Sequence, residues 1–239
     1  MPSADPAVSV ILPVRDGARL VADAIGSVLA QEGAEAVELV VVDDGSSDDT
    51  VRIVRERCPG ARLIRGGTPS DPLGPGGARN LGLRAARAPV IGFIDHDDLW
   101  PEGKLATQRA RLAADPELDM AVGLVRFACL EGRAMPDLRF TGPDHTLDFF
   151  LLGAALMRAR LFERIGPFAT DMRIGEDHDL LLRARQAGLK IAKGEEIGLV
   201  YRQHATNMTR DISMREANVF ELLRRGLRRR DAGRTGAGE

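Results

Sequence analysis

The chain has 239 residues, 44% of them hydrophobic, which is enough for one large core or two closely fused halves. Its formal net charge of −2 argues against a nucleic-acid partner, and its 2 cysteines, Cys58 and Cys129, cannot build a disulfide framework and fit a reducing compartment. The opening MPSADPAVSVILPV lacks the basic start and apolar stretch of a signal peptide. The longest apolar run, Phe149–Met157, falls far short of the ~20 residues that span a bilayer, so a soluble cytoplasmic protein is expected.

In chain order, Val8–Val14 is rich in β-formers and reads as a first strand, with Arg15-Asp16-Gly17 as its turn. Leu20, Ala24, Ile25, Val28 and Leu29 then recur with a helical period. Leu39–Val42 reads as a second strand that runs into Asp43, Asp44 and Asp48, and Ser47 or Asp48 is placed to cap a helix over Thr50–Arg57. Arg62–Ile64 is a short third strand. The Gly/Pro-rich stretch Gly66–Gly77 reads as a loop before a helix over Ala78–Ala86. Val90, Ile91, Phe93 and Ile94 form a buried strand that delivers Asp95, His96, Asp97 and Asp98. On an extended chain, alternation puts Asp95 and Asp97 on one side and His96 and Asp98 on the other.

A helix near Glu102–Ala114 leads to a strand over Met120–Ala128, and Arg133–His145 reads as irregular. Gly153–Met157 reads as a strand and Arg160–Ile165 as a short helix. Gly175-Glu176-Asp177-His178-Asp179 opens a helix over Leu180–Ala187. Lys190–Ala192 and Val200-Tyr201 precede a polar stretch with Arg202, His204 and Asn207. A last helix carries Arg224, Arg225, Arg228, Arg229 and Arg230 ahead of a Gly-rich, disordered end. Strand and helix in alternation predict an α/β fold with a mostly parallel sheet and helices on both faces. Such sheets bind ligands outside the carboxyl ends of their strands, where Asp43, Asp44, Asp95 and Asp97 all fall.

Two carboxylates at the end of a buried strand repel and lose hydration, and Mg²⁺ held by one or two carboxylates and substrate phosphates relieves both. The plain alternative is a solvated acidic loop that caps the next helix at Pro101. Gly74-Pro75-Gly76-Gly77 is not a dinucleotide fingerprint and no phosphate-loop motif occurs. Arg79 sits just inside a helix, where it can meet a phosphate. Three acids, Glu176, Asp177 and Asp179, exceed what capping needs and leave at least one as a general base. His204 is a candidate ligand, and the terminal arginines are either a solvated face or a weak contact with an anionic membrane surface.

These motifs in this order resemble the family-2 glycosyltransferases of GT-A fold. The matching segments are VSVILPVRDG, LVVVDDGSSDDT, GGARNLGLRAA, VIGFIDHDDLWPEGKL, IGPFATDMRIGEDHDLLLRARQAG and YRQHATNMT, over most of residues 7 to 210. The resemblance implies a nucleotide-sugar donor, UDP-sugar favoured, and Mg²⁺ or Mn²⁺. Pro13, Val14, Arg15, Asp43, Asp44, Arg79, Asp95, His96 and Arg202 are implied to bind the nucleotide, with Asp43 facing the base. Asp95 and Asp97 are implied to form the DXD-type metal element, with His204 as a further metal ligand on a loop closing over the diphosphate. Asp177 is implied as the base of an inverting transfer and Glu176 as its companion. Ala169 departs from a frequent aspartate, and without the QxxRW element or membrane helices a single-sugar transfer to an unknown acceptor is implied, a homodimer staying open. The implied organisation is a donor half over 1–120, an acceptor half over 121–210 and a basic C-terminal piece over 211–239, within one fused domain. A metal-dependent phosphohydrolase using Asp95 and a catalytically silent nucleotide-sugar binder are the competing readings.

Overall fold

A computed structural model describes residues 5–132, 135, 139–172, 174–205 and 207 of the chain. The basic C-terminal helix expected around Arg224–Arg230 lies outside the described residues. The first half winds β1 (Val8–Val14), α1 (Val21–Leu29), β2 (Val37–Asp43), α2 (Thr50–Arg57), β3 (Arg62–Arg65), α3 (Gly74–Ala85) and β4 (Val90–Phe93). The second half adds α4 (Lys104–Ala114), β5 (Met120–Cys129), β6 (Thr146–Leu147), β7 (Ala155–Arg158), α5 (Arg160–Ile165), α6 (Glu176–Gln186) and β8 (Ile191–Gln203).

One mixed sheet runs β3-β2-β1-β4-β7-β5-β6, with β8 also paired to β5. The first four strands are mutually parallel, β7 is antiparallel to β4 and β5, and β8 runs parallel to β5. All seven residues of β1 are buried, as a central strand covered on both faces must be. Val8, Val10, Leu12 and Val14 pack with α1, Val54 of α2 and Leu105 and Leu112 of α4. Ile11 faces the other way, with Ile91, Phe93, Ala78 of α3, Leu161 of α5 and Leu180 of α6. The sheet is therefore sandwiched between two helical layers, and the carboxyl ends of its parallel strands open on one edge.

Several local expectations are corrected. Helix α3 begins at Gly74 rather than Ala78: Pro75 sits in its first turn, where a missing N–H costs nothing. Its glycines let the helix press close, since a Cβ on Gly76 would lie 2.3 Å from the Ala169 carbonyl oxygen. Helix α6 starts at Glu176, so the acids expected ahead of the helix form its first turn. The two short apolar stretches near Lys190 and Val200 belong to one 13-residue strand, β8. Its pairing to β5 shifts register between Val122 and Leu124 and again before Val125, which breaks the alternation a strand shows in sequence. Strand β6, directly after the stretch read as irregular, is an element the sequence reading does not include. The strand expected over Gly153–Met157 is a 3-10 turn over Leu152–Ala154 followed by β7. After β4 the chain turns instead of staying extended, with the Asp98 N–H donating to the Asp95 carbonyl at 3.1 Å, so two-residue alternation does not govern the acids.

Candidate active site

The end of β2 is fastened before any ligand arrives. Gly45 adopts φ +82°, and a Cβ there would lie 2.3 Å from the Thr68 carbonyl carbon, so only glycine fits. This bend lets the buried Asp44 carboxylate accept three backbone N–H groups, from Gly67 (3.0 Å), Leu73 (2.8 Å) and Gly74 (2.9 Å). Asp44 therefore holds the loop ahead of α3 and the first turn of that helix. Asp43, also buried, accepts from the Ser46 N–H at 3.1 Å. Pro13 and Val14 are buried at the end of β1. Arg15 is half-exposed and donates to the Pro69 carbonyl at 2.9 Å, across the mouth of the same loop.

Arg79, on α3, is the buried hub. Its Nη2 donates to Asp95 Oδ1 at 2.7 Å, its Nη1 to Glu176 Oε1, and the guanidinium lies 5.9 Å from the centre of the Phe168 ring. Its Nε has no partner among the described residues. Asn80 beside it exchanges two hydrogen bonds with the Phe168 backbone, at 2.9 and 2.8 Å, and so anchors α3 to the segment leading to α6. Burial pushes the Glu176 carboxyl upward and is only partly offset by the Arg79 charge.

The four residues after Ile94 go to four different places. Asp95 turns to Arg79. His96 lies over the β1–α1 turn, where a Cβ on Gly17 would meet its ring at 2.6 Å. Asp97 Oδ2 lies 3.0 Å from His204 Nε2 and 3.4 Å from Asn207 Nδ2. Asp98 is buried and accepts from the Arg202 backbone N–H at 3.0 Å; burial first, then the charges of Asp97 and Asp95, push its carboxyl well above the usual range. Arg202 is placed on β8 rather than on a closing loop. Its guanidinium is tied to the Asp97 carbonyl, to Asp23 of α1 (2.8 Å) and to the Leu20 carbonyl (3.4 Å). It braces the turn that carries Asp97.

At the start of α6, Asp177 Oδ1 accepts from the backbone N–H and ring Nδ1 of His178, at 2.8 and 2.9 Å. Asp179 is buried against Arg183 (2.8 Å), which also binds the Ile165, Gly166 and Pro167 carbonyls, so the third acid of this turn is structural. The structure thus brings the acids Asp95, Glu176 and Asp177 around one buried cation, Arg79, and pairs Asp97 with His204. Asp43 and Asp44 sit at the neighbouring strand end.

Among the described residues no three metal-ligating side chains gather into a cage. What stands there is a carboxylate–imidazole pair, Asp97 and His204, with the Asp95 carboxylate held on the Arg79 side. This set fits a divalent ion that draws most of its shell from phosphate and water.

Residues 9–177 match the family model described as Glycosyl transferase family 2. The chain belongs to that family. Among its relatives, the succinoglycan biosynthesis protein ExoO of Rhizobium meliloti is 32% identical over 92% of this chain and 64% of its own length. ExoU of the same organism is 29% identical over 77% of this chain and 58% of its own. The chain thus spans about three-fifths of the length of these two relatives. Of solved structures, S. aureus TarS 1-349 in complex with UDP-GlcNAc superposes with a TM-score of 0.72 at 21% identity, over 92% of this chain and 65% of that one. The Pyrobaculum calidifontis mannosyltransferase PcManGT in complex with GDP-Man and Mn2+ gives 0.64 at 22% identity, over 87% and 59%. The mixed α/β fold is accordingly the GT-A fold that the family-2 resemblance implied.

Sequence reasoning about this family-2 chain missed His178, Asn207 and the bracing role of Asp98. The signal for His178 was present, a histidine directly after the candidate base, but its ring contacts come from residues almost thirty positions away. Among the described residues no helix is long and apolar enough to cross a membrane.

Proposed function

We propose that this chain transfers a single hexose-type sugar from a nucleoside diphosphate sugar, with uridine the favoured base, to an acceptor hydroxyl with inversion at the anomeric carbon. One observation carries the reading. A single buried guanidinium, Arg79, bonds both Asp95, at the end of β4, and Glu176, beside Asp177 at the start of α6. Acids suited to a donor diphosphate and an acid suited to base catalysis therefore share one cation across one cleft. Membership of glycosyl transferase family 2 supports the transfer, and the UDP-GlcNAc and GDP-Man complexes of the two solved relatives support a nucleotide-sugar donor.

In this reading Pro13, Val14, Arg15 and Asp43 line the nucleotide, and Asp44 shapes its loop. Arg79 approaches the diphosphate behind the Asp95 carboxylate that it holds. Asp95, Asp97 and His204 would hold Mg²⁺ or Mn²⁺, which when bound neutralises charge growing on the leaving diphosphate, an effect worth several kcal/mol. Arg202 and His96 serve the nucleotide indirectly, Arg202 through the Asp97 carbonyl and His96 through the Gly17 turn. Asp177 takes the proton of the acceptor hydroxyl as that oxygen attacks opposite the departing diphosphate, and Glu176 orients the acceptor. A cytoplasmic setting accords with Cys58 and Cys129 forming no disulfide. Against a phosphohydrolase stands Asp95, whose Oδ1 is bound to Arg79 and poorly placed as a nucleophile.

The test is thermal shift of the purified chain with uridine, thymidine, guanosine and adenosine diphosphates, with and without Mn²⁺, followed by transfer from the matching sugar nucleotide. Stabilisation by uridine diphosphate that grows with Mn²⁺ is expected. Equal stabilisation by all four overturns the base preference, and none by any overturns the donor reading.

A further inference from the structure

The candidate base is not a lone carboxylate. His178 folds back on it, so that one oxygen, Oδ1, accepts both the His178 backbone N–H (2.8 Å) and ring Nδ1 (2.9 Å). Oδ2 makes no hydrogen bond among the described residues. The ring is also held from behind. Phe149 lies 5.3 Å from it, centre to centre, and Phe150 lies 6.3 Å away at 85°. Packing and hydrogen bonding therefore fix the same rotamer, as positioning of a reactive group to within a fraction of an ångström requires.

We propose that His178 is a positioning residue for Asp177: it occupies Oδ1, keeps the carboxylate ionised beside the donor diphosphate, and leaves Oδ2 to receive the acceptor's proton. The inference rests on the glycosyl-transfer reading above. The balance is simple. The acceptor O–H breaks as its oxygen bonds the anomeric carbon, the proton goes to Oδ2, and the pair of the breaking glycosyl–phosphate bond leaves on the nucleoside diphosphate. His178 keeps its own proton throughout.

The electrostatics agree with the geometry. Burial drives the Asp177 carboxyl toward its neutral form, but the hydrogen bond and charge of His178, with Arg79, outweigh burial and hold it below the ordinary carboxylate value. The same hydrogen bond, against burial of the ring, lifts the imidazole above its ordinary 6.5. Among the described residues, the charged groups facing the pair are Glu176 on the same helix and Arg79 from α3, while the segment after β6 presents the two phenyl rings.

Two measurements on the full chain test this. In the first, the His178 ring is titrated by NMR, its signal assigned by its loss in His178→Asn. A midpoint above 6.5 that drops in Asp177→Asn is expected. An unchanged midpoint overturns the pairing, whatever the enzyme transfers. In the second, kcat/KM for transfer is followed against pH. His178→Phe should move the acid limb upward, losing about tenfold at acid pH per unit of displacement, with donor affinity unchanged. His178→Asn keeps a neutral donor at the Nδ1 position and should move it less. An acid limb identical in wild type and His178→Phe overturns the positioning role. Absence of transfer by the wild type from any sugar nucleotide overturns the base role together with the glycosyl-transfer reading, and the NMR arm tells that failure from a failure of the pair.

Discussion

Asp177 and Asp97 are both carboxylates near the same cleft, yet their surroundings ask different things of them. Among the described residues one oxygen of Asp177 accepts no hydrogen bond, beside a helix start, and a base is what such an oxygen can be. Asp177→Asn keeps the shape and removes the proton acceptor. Turnover should then fall by ~10²–10⁴ while donor affinity stays the same, as single-turnover and equilibrium-binding measurements would show. Near-normal transfer in this variant would sink the assignment. Asp97 faces an imidazole and an amide instead, with Oδ2 at 3.0 Å from His204. Asp97→Ala should abolish the Mn²⁺-dependent part of nucleoside diphosphate binding. His204→Ala should weaken that part and leave nucleoside binding untouched. Calorimetry with and without Mn²⁺ separates the cases: equal losses for nucleoside and diphosphate would point to a folding role for the imidazole.

At the scale of elements, α3 is held at its start by an acid that directly follows β2. Three backbone N–H groups converge on Asp44, so Asp44→Asn sets an amide NH₂ against at least one of them. Leaving such a buried donor unmatched costs roughly 1–3 kcal/mol, which should lower the urea midpoint at unchanged m-value. An unaltered midpoint would mean that the loop is fastened by something else. This clasp also marks where sequence reading stops. Strands β1, β2 and β4 and helices α1 and α2 were legible because their apolar periods are local. The acids after β2 and β4, with the pair at α6, stood out because polar residues follow buried runs. What could not be read were pairings across long stretches of chain: Asp44 with the start of α3, Arg202 with Asp23, Asn80 with Phe168. The glycines of α3 misled for a physical reason. They look like loop formers until the close approach to Ala169 that requires a glycine at Gly76 is seen. Strand β8 was obscured because its shifts against β5 scramble the alternation.

At the scale of the whole molecule, helix α4 is tied to β8 and to the turn before β7 through a buried lysine that the chemistry does not use. Lys104 Nζ bonds Gln108 Oε1 at 3.0 Å and lies 4.1 Å from the centre of the Trp100 ring, just beyond the acidic turn. Gln108 in turn donates to the Ala154 carbonyl (2.9 Å) and to Glu196 of β8 (3.3 Å). The lysine thus links α4 to strands of the second half. Burial lowers its pKa to about 7, with Glu196 only partly opposing. The folded chain then holds fewer protons than the unfolded chain between about 7 and the ordinary lysine value of 10.5. Stability must rise with pH across that window and, for this group, be flat below it. His178 works in the opposite sense, since its raised folded value gives stability that is lost as pH climbs through it. The two are separated by Lys104→Met, which fills similar volume without a charge. Urea midpoints at pH 7, 8 and 9 should climb in wild type relative to Lys104→Met, and at pH 7 the methionine variant should match or exceed wild type, because a partly charged, deeply buried ammonium is gone. Parallel midpoint curves for the two proteins would show that Lys104 is solvated in the folded state and that its burial does not set the pH dependence of the fold.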